Sequence, residues 1–321
     1  MLELCSSHGH PITHMFNRVL FAVGVMFSLS PWASPPVALL LGLIFAFVAS
    51  HPFPSESRKA SKLLLQGSVV ALGFGMNFNQ ILRTGRTGFF YTAIGIAFAL
   101  TTGELIGRAL QVQRRPSFLI STGTAICGGS AIAAVGPITG ATDDEMSVSL
   151  GTVFILNSIA LLTFPAIGMW LHLTQQQFGL WAALAIHDTS SVVGAAAKYG
   201  ALALAIGTTV KLARALWIIP VSIGTAAWKR SQAKIQVPWF VFLFVLAAVA
   251  NSYVASGANI FPKLALAGKV GLTLTLFLIG ASLSPAQIKR VGPRPLLQGI
   301  LLWIVVAVVS LVLIRLGWIA A

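Results

Sequence analysis

Ala185-Ile186-His187-Asp188-Thr189-Ser190-Ser191 sets an imidazole and a carboxylate side by side within residues 178–200, a run that is otherwise largely apolar. In hydrocarbon an unpaired charge or a broken helix costs several kcal/mol, so such groups persist only where they face a cavity or a partner. Whether this run lies in a membrane therefore decides how it is read. Working outward from it, apolar runs recur along the whole chain, at 16–30, 36–50, 62–80, 88–108, 117–136, 147–171, 202–228, 238–254, 264–283 and 296–318. About 20 apolar residues cross a hydrocarbon layer of roughly 30 Å as a helix. The pattern predicts an all-α polytopic membrane protein of about eleven transmembrane helices, the second short and tilted into its neighbour.

Composition agrees. The 321 residues are 56% hydrophobic and 9% charged, with a mean hydropathy of +0.87, whereas soluble domains carry roughly a quarter charged residues. A water-soluble globule is excluded, and the division expected is a polar tail, 1–14, followed by one transmembrane domain, 15–321. The net charge of +14 would suggest nucleic acid in a soluble chain. Here the basic residues fall mainly in loops between apolar runs, and no segment is long enough to build a basic, water-exposed face, so nucleic acid is no partner. With all eleven runs crossing and the amino terminus inside, thirteen Lys and Arg lie inside and five outside, which predicts amino terminus in and carboxyl terminus out. The inner set includes Arg58, Lys59, Arg114, Arg115, Lys234, Lys289 and Arg290, and the outer set is Arg83, Arg86, Lys198, Lys263 and Arg315.

Cys5 and Cys127 lie in the tail and mid-run, so no structural disulfide is expected. His8, His10 and His14 have a spacing that could bind a metal, but a disordered tail is the plainer reading; no metal site and no cofactor is expected. Residues 18–34 imitate a signal peptide and are read instead as the first span. Weak internal repeats are visible. Ala125–Ile132 aligns with Ala185–Val192, and Lys62–Arg86 with Lys263–Arg294; the basic turns ending the second pair fall on opposite sides, as an inverted repeat of 62–171 on 178–318 requires.

Three intramembrane constellations carry chemistry. Ser121–Ala131 is nearly all small, with Gly128-Gly129 at its centre. A glycine pair lets a helix unwind and expose backbone N–H groups that hold an anion, although small residues also serve close helix packing. His187 and Asp188, as neighbours about 100° apart on a helix, are not a hydrogen-bonded dyad; either could carry a coupling proton, or both could be a structural knot. Lys211 and Arg214, three apart, share a helix face. Two buried cations need anions; Asp188 supplies one, and a substrate oxyanion could neutralise the rest, unless Lys211 snorkels to the interface. The site expected is Cys127, Gly128, Gly129, Ser130, His187, Asp188, Ser191, Lys211 and Arg214, with His187 and Asp188 as coupling residues. Elsewhere, Glu104 and Arg108 read as an i, i+4 ion pair. Asp143-Asp144-Glu145 reads as a helix start, and Asn77, Asn157 and Asn251 as pathway residues or helix glue.

Ile126–Ala134, Ile186–Val192 and Lys211-Leu212-Ala213-Arg214 together resemble the YeiH-type family (UPF0324) of bacterial inner-membrane proteins, often labelled sulfate exporters. The resemblance continues in Leu72–Phe78, in Pro238-Trp239-Phe240 with Asn251-Ser252, and in Lys289–Leu296, and covers about residues 15–318. It implies a fold related to the bile-acid and arsenite transporter superfamily, with inverted repeats and two broken helices crossing near the midplane. It also implies a secondary transporter of a small anion such as sulfate or sulfite, working by alternating access in the inner membrane, not an enzyme. Its partners are the anion and membrane lipids, and homo-oligomerisation is left open. A sodium- or proton-coupled carrier of another solute, and a membrane-embedded enzyme using Cys127 or His187 on a lipid-linked substrate, are the competing readings.

Overall fold

The computed structural model describes residues 11–230, 237–254, 257, 259–283 and 291–319. Cys5, His8, His10, Lys234, Lys289 and Arg290 fall outside them, as does most of the tail assigned to 1–14. Every described element is a helix, fourteen in all: α1 (Pro11–Ser28), α2 (Pro35–Val48), α3 (Pro54–Gly73), α4 (Phe78–Ala109), α5 (Arg114–Ala125), α6 (Gly129–Thr139), α7 (Asp143–Trp170), α8 (Gln175–Ala185), α9 (Thr189–Tyr199), α10 (Ala201–Ala215), α11 (Ile218–Lys229), α12 (Trp239–Tyr253), α13 (Phe261–Ala281) and α14 (Pro293–Arg315). By length and apolarity four stretches cross a membrane unaided: α7, the joined α10–α11, α13 and α14. The two arms of α4, bent by 45°, make a fifth. The chain is a multi-pass membrane protein.

Local chemistry sets the helix ends. Asp143, Asp144 and Glu145 open α7 as the sequence suggests: Thr142 accepts from the Glu145 N–H at 3.2 Å while the Glu145 carboxylate accepts from the Thr142 N–H at 2.8 Å. Glu104 and Arg108 pair at 2.9 Å near the end of α4. Proline starts α2, α3, α13 and α14 within their first two positions, where its missing N–H costs nothing.

The helices sort into two bundles. In one, α1, α2, α3, α12 and α13 pack together; in the other, α4 to α11 and α14 do, and the bundles meet where α2 and α13 pack on α9, α2 on α7 and α12 on α4, with one apolar core running through both. Small residues close the first bundle: a Cβ on Gly42 would stand 2.8 Å from the Ala281 N, and one on Gly280 2.6 Å from the Leu39 O, so α2 and α13 meet backbone to backbone. The chain crosses between the bundles three times, from α3 to α4, from α11 to α12 and from α13 to α14, and the first crossing, Phe74–Asn77, is tied to the end of α12. There the Asn251 side chain donates to the Met76 carbonyl at 3.1 Å, and the Phe78 N–H donates to the Ser252 hydroxyl at 2.8 Å.

Candidate functional site

Two segments of the second bundle are broken in mid-course. The first breaks at Ile126–Gly128, between α5 and α6, and the second at Ile186–Asp188, between α8 and α9. Their first halves arrive from opposite ends of α4. Gln176, at the start of α8, shares a cavity with Asn77 and Gln80 at the start of α4, whereas Ser117, near the start of α5, packs on Gly107 at its end. The 27 residues from Gln80 to Gly107 span about 40 Å of helix. The breaks then meet: a Cβ on Gly128 would lie 3.3 Å from the Asp188 Cβ and 3.2 Å from Val153.

A helix end presents carbonyls with no partner and a partial negative charge. Both first halves end in this way at the crossing, and Arg214 answers both. Its Nε donates to the Ala125 carbonyl at 2.6 Å and its Nη2 to Thr124 at 2.9 Å, closing α5. Its Nη1 donates to Ala183 at 3.2 Å and to Leu184, closing α8. Lys211, one turn earlier on α10, places its Nζ 2.7 Å from the Ile186 carbonyl. Lys211 is 0% and Arg214 2% exposed, so neither snorkels to an interface. Asp188 lies within electrostatic reach of Lys211, as inferred from sequence, and the helix-end carbonyls add hydrogen-bond acceptors that composition does not reveal.

The second halves begin differently. Asp188 caps α9, accepting the Ser191 N–H at 3.0 Å and the Ser190 hydroxyl at 2.7 Å. At the start of α6 the cap is Gly128, with φ +65° and ψ −126°, a conformation only glycine holds without strain, and it has no side chain to accept from the first turn, where the Cys127 sulfur faces the Ala131 N–H. The amides of Gly129 and Ser130 therefore open α6 uncapped, and Ser130 is exposed. Cys127 is buried within the first break and free.

His187 is hydrogen-bonded to α7. Its N–H donates to Asn157 Oδ1 at 3.1 Å, and its Nδ1 stands 3.2 Å from the same oxygen. An oxygen there requires a proton on Nδ1 and leaves Nε2 as an acceptor. Among the described residues, His187 Nε2, Asn157 Nδ2, Thr124 Oγ1 and the Trp303 indole nitrogen are buried with no hydrogen-bond partner. The Trp303 ring lies 6.4 Å from the imidazole and stacks on Phe164, which stacks on Trp181.

Of the residues singled out from sequence, Gly128, Asp188, Lys211 and Arg214 gather at the crossing with the backbone of Ile186. Ser191 serves the α9 cap, and the His187 side chain faces α7 and α14. Sequence reading did not find Trp303, or Gln298 on α14, whose side-chain amide donates to the Gly103 carbonyl at 3.0 Å and to the Ser117 hydroxyl at 2.8 Å. A lone glutamine in an apolar run was the available signal. Asn77 caps α4, accepting from Gln80.

A family described as conserved hypothetical protein 698 matches residues 20–299. The chain is 53% identical over 288 residues to a UPF0324 membrane protein of Bacteroides thetaiotaomicron, covering 88% of this chain and 86% of the relative. It is 45% identical over 302 residues to one of Geobacter sulfurreducens, covering 94% and 97%. To one of Shewanella oneidensis it is 40% identical over 296 residues, covering 92% and 94%.

Proposed function

The chain belongs to the UPF0324 family of membrane proteins, and we propose that it is a secondary transporter of a small anion such as sulfate or sulfite. The observation carrying this reading is Lys211: a fully buried ammonium with three N–H donors and one hydrogen-bonded acceptor among the described residues, near a helix start whose cap residue is a glycine. Burying a cation costs several kcal/mol unless charge and hydrogen bonds offset it. An oxyanion seated between Lys211 and the first amides of α6 supplies both. In this reading Arg214 holds the two breaks in register, Gly128 and Gly129 give the anion its approach to the backbone, Cys127 and Ser130 flank it, and Asp188 with Ser191 fixes the facing helix start. Proton coupling runs through Asp188 or His187.

The proposal has eleven spans in an inner membrane, built as an inverted repeat, with alternating access arising from one bundle moving against the other about the Phe74–Asn77 link. The sorting of the helices into two bundles and the two-sided approach of α5 and α8 support that motion. Purified protein in proteoliposomes should take up labelled sulfate or sulfite against a preset proton gradient, and Lys211→Met should abolish uptake while remaining monodisperse. Unchanged uptake by that variant would exclude the site, and strict sodium dependence would favour a cation-coupled carrier instead.

A further inference from the structure

Close packing on α4 fixes how α5 and α14 advance together. A Cβ on Gly107 would meet Ser117 and Gln298, and one on Gly103, a turn away, would meet Ser121 and Leu302. A Cβ on Gly299 would meet Ile120 on α5 and Thr152 and Leu156 on α7. Just beyond these contacts α5 brings Thr124, α14 brings Trp303 and α7 brings Asn157. The second break supplies a fourth group, since His187 is bonded to Asn157 and its ring lies 6.4 Å from that of Trp303. Thr124, Asn157 and His187 are 2%, 3% and 1% exposed.

The backbone settles which of these groups donate. A backbone N–H only donates, so the Asn157 atom that the His187 N–H meets is the oxygen; the same oxygen takes the proton of His187 Nδ1, and Nε2 is left as an acceptor. Asn157 Nδ2 and the Trp303 indole nitrogen are donors, and the Thr124 hydroxyl turns either way. Each of these four atoms is buried without a partner among the described residues. An unpaired polar atom costs about 1–3 kcal/mol, so one acceptor among donors describes the guest that suits the set: a hydroxyl, which donates once and accepts twice. Lys211 and Arg214 lie within electrostatic reach of the same imidazole, and Ile186, next to His187, gives its carbonyl to Lys211. We propose that the site takes a singly charged oxyanion that keeps a hydroxyl, its charge toward Lys211 and its O–H donating to His187 Nε2. Of the two anions named above, that is sulfite in its monoprotonated form rather than sulfate, which has no proton to give near neutral pH. The inference deepens the transport reading and rests on it for Lys211, while recognition of the hydroxyl is measurable alone.

Calorimetric titration of the full chain in detergent compares hydrogensulfite with chlorate at mildly acidic pH, where dissolved sulfite is chiefly the monoanion. Both are pyramidal and singly charged, and only hydrogensulfite carries a proton. The parent should bind it roughly tenfold more tightly than chlorate, the ratio expected when one buried acceptor is left unpaired. His187→Phe should bring the two affinities together, and Lys211→Met should weaken both alike. Trp303→Phe keeps an aromatic ring on Phe164 and removes the indole N–H; it should weaken hydrogensulfite several-fold, and it stands in where His187→Phe fails to fold. Equal affinities in the parent would overturn the inference by leaving the four atoms to bound water, and so would a preference that folded His187→Phe retains. Equal affinities that Lys211→Met abolishes sink this inference alone. Hydrogensulfite binding that survives Lys211→Met and is lost in His187→Phe sinks the Lys211 reading and leaves the hydroxyl site standing, and no binding of either anion overturns both.

Discussion

The two breaks are built from the same kind of parts and finished differently. At Ile186–Asp188 the new helix brings its own carboxylate, and Asp188 satisfies the first turn of α9 through Ser190 and Ser191. At Ile126–Gly128 the new helix begins on a glycine in a left-handed conformation with no side-chain cap. One helix start is closed by its own cap side chain and the other begins on a residue that has none. The first halves show no such difference, because Arg214 closes both with one guanidinium. The asymmetry thus lies at the positive helix ends, where an anion would bind, while the negative ends are treated alike.

The largest effect should come from destroying what the breaks share. Arg214→Met strips four carbonyls of their donor across α5 and α8. Single interhelical hydrogen bonds in membranes average only about 0.6 kcal/mol. Loss of one partner from a buried charged network is worth on the order of 3–5 kcal/mol. The charged term wins, and the variant should lose most of its monodisperse fraction and unfold well below the parent in a detergent thermal scan. A parent-like midpoint would show that the clamp is dispensable.

Gly128→Ala attacks the open break alone. The φ of +65° and a Cβ 3.2 Å from Val153 and 3.3 Å from Asp188 put its cost at about 1–3 kcal/mol, with anion flux lost because the helix start must move. Full flux from that variant would detach the unwound backbone from binding.

Asp188 probes the closed break and gives the smallest change. Asp188→Ala removes a cap worth about 1 kcal/mol, whereas Asp188→Asn keeps the acceptor and should change stability by only a few tenths. If the two variants unfold at the same temperature, the carboxylate is not acting as a cap. A pH profile of flux that flattens only in Asp188→Asn would assign the coupling proton to Asp188 rather than to His187.

Much of this architecture is legible in the amino-acid sequence. Apolar runs near 20 residues and the acidic start Asp143-Asp144-Glu145 place helices directly, because each follows from local composition. The breaks are legible as well, since Gly128-Gly129 and His187-Asp188 are poor material for a lipid-facing helix. The partners of Arg214 and Lys211 are not. Backbone carbonyls carry no signature in a sequence, so two buried cations read as wanting acids, and only Asp188 of their surroundings is visible there while the helix ends are not. Asn157 illustrates the same limit: it reads as glue or pathway lining, and only the packing of α7 on α9 shows that its Oδ1 orients His187.

The central claim is that an anion completes the coordination of Lys211 at an uncapped helix start. Titrating purified parent and Lys211→Met with sulfate and sulfite, at fixed ionic strength and free of sodium, while following the thermal unfolding midpoint, tests it most directly. A ligand bound only by the folded state at 100 times its dissociation constant adds about 2.7 kcal/mol, so the parent midpoint should climb with the logarithm of concentration and the variant stay flat. A flat parent, or a rise that Lys211→Met shares in full, would contradict it.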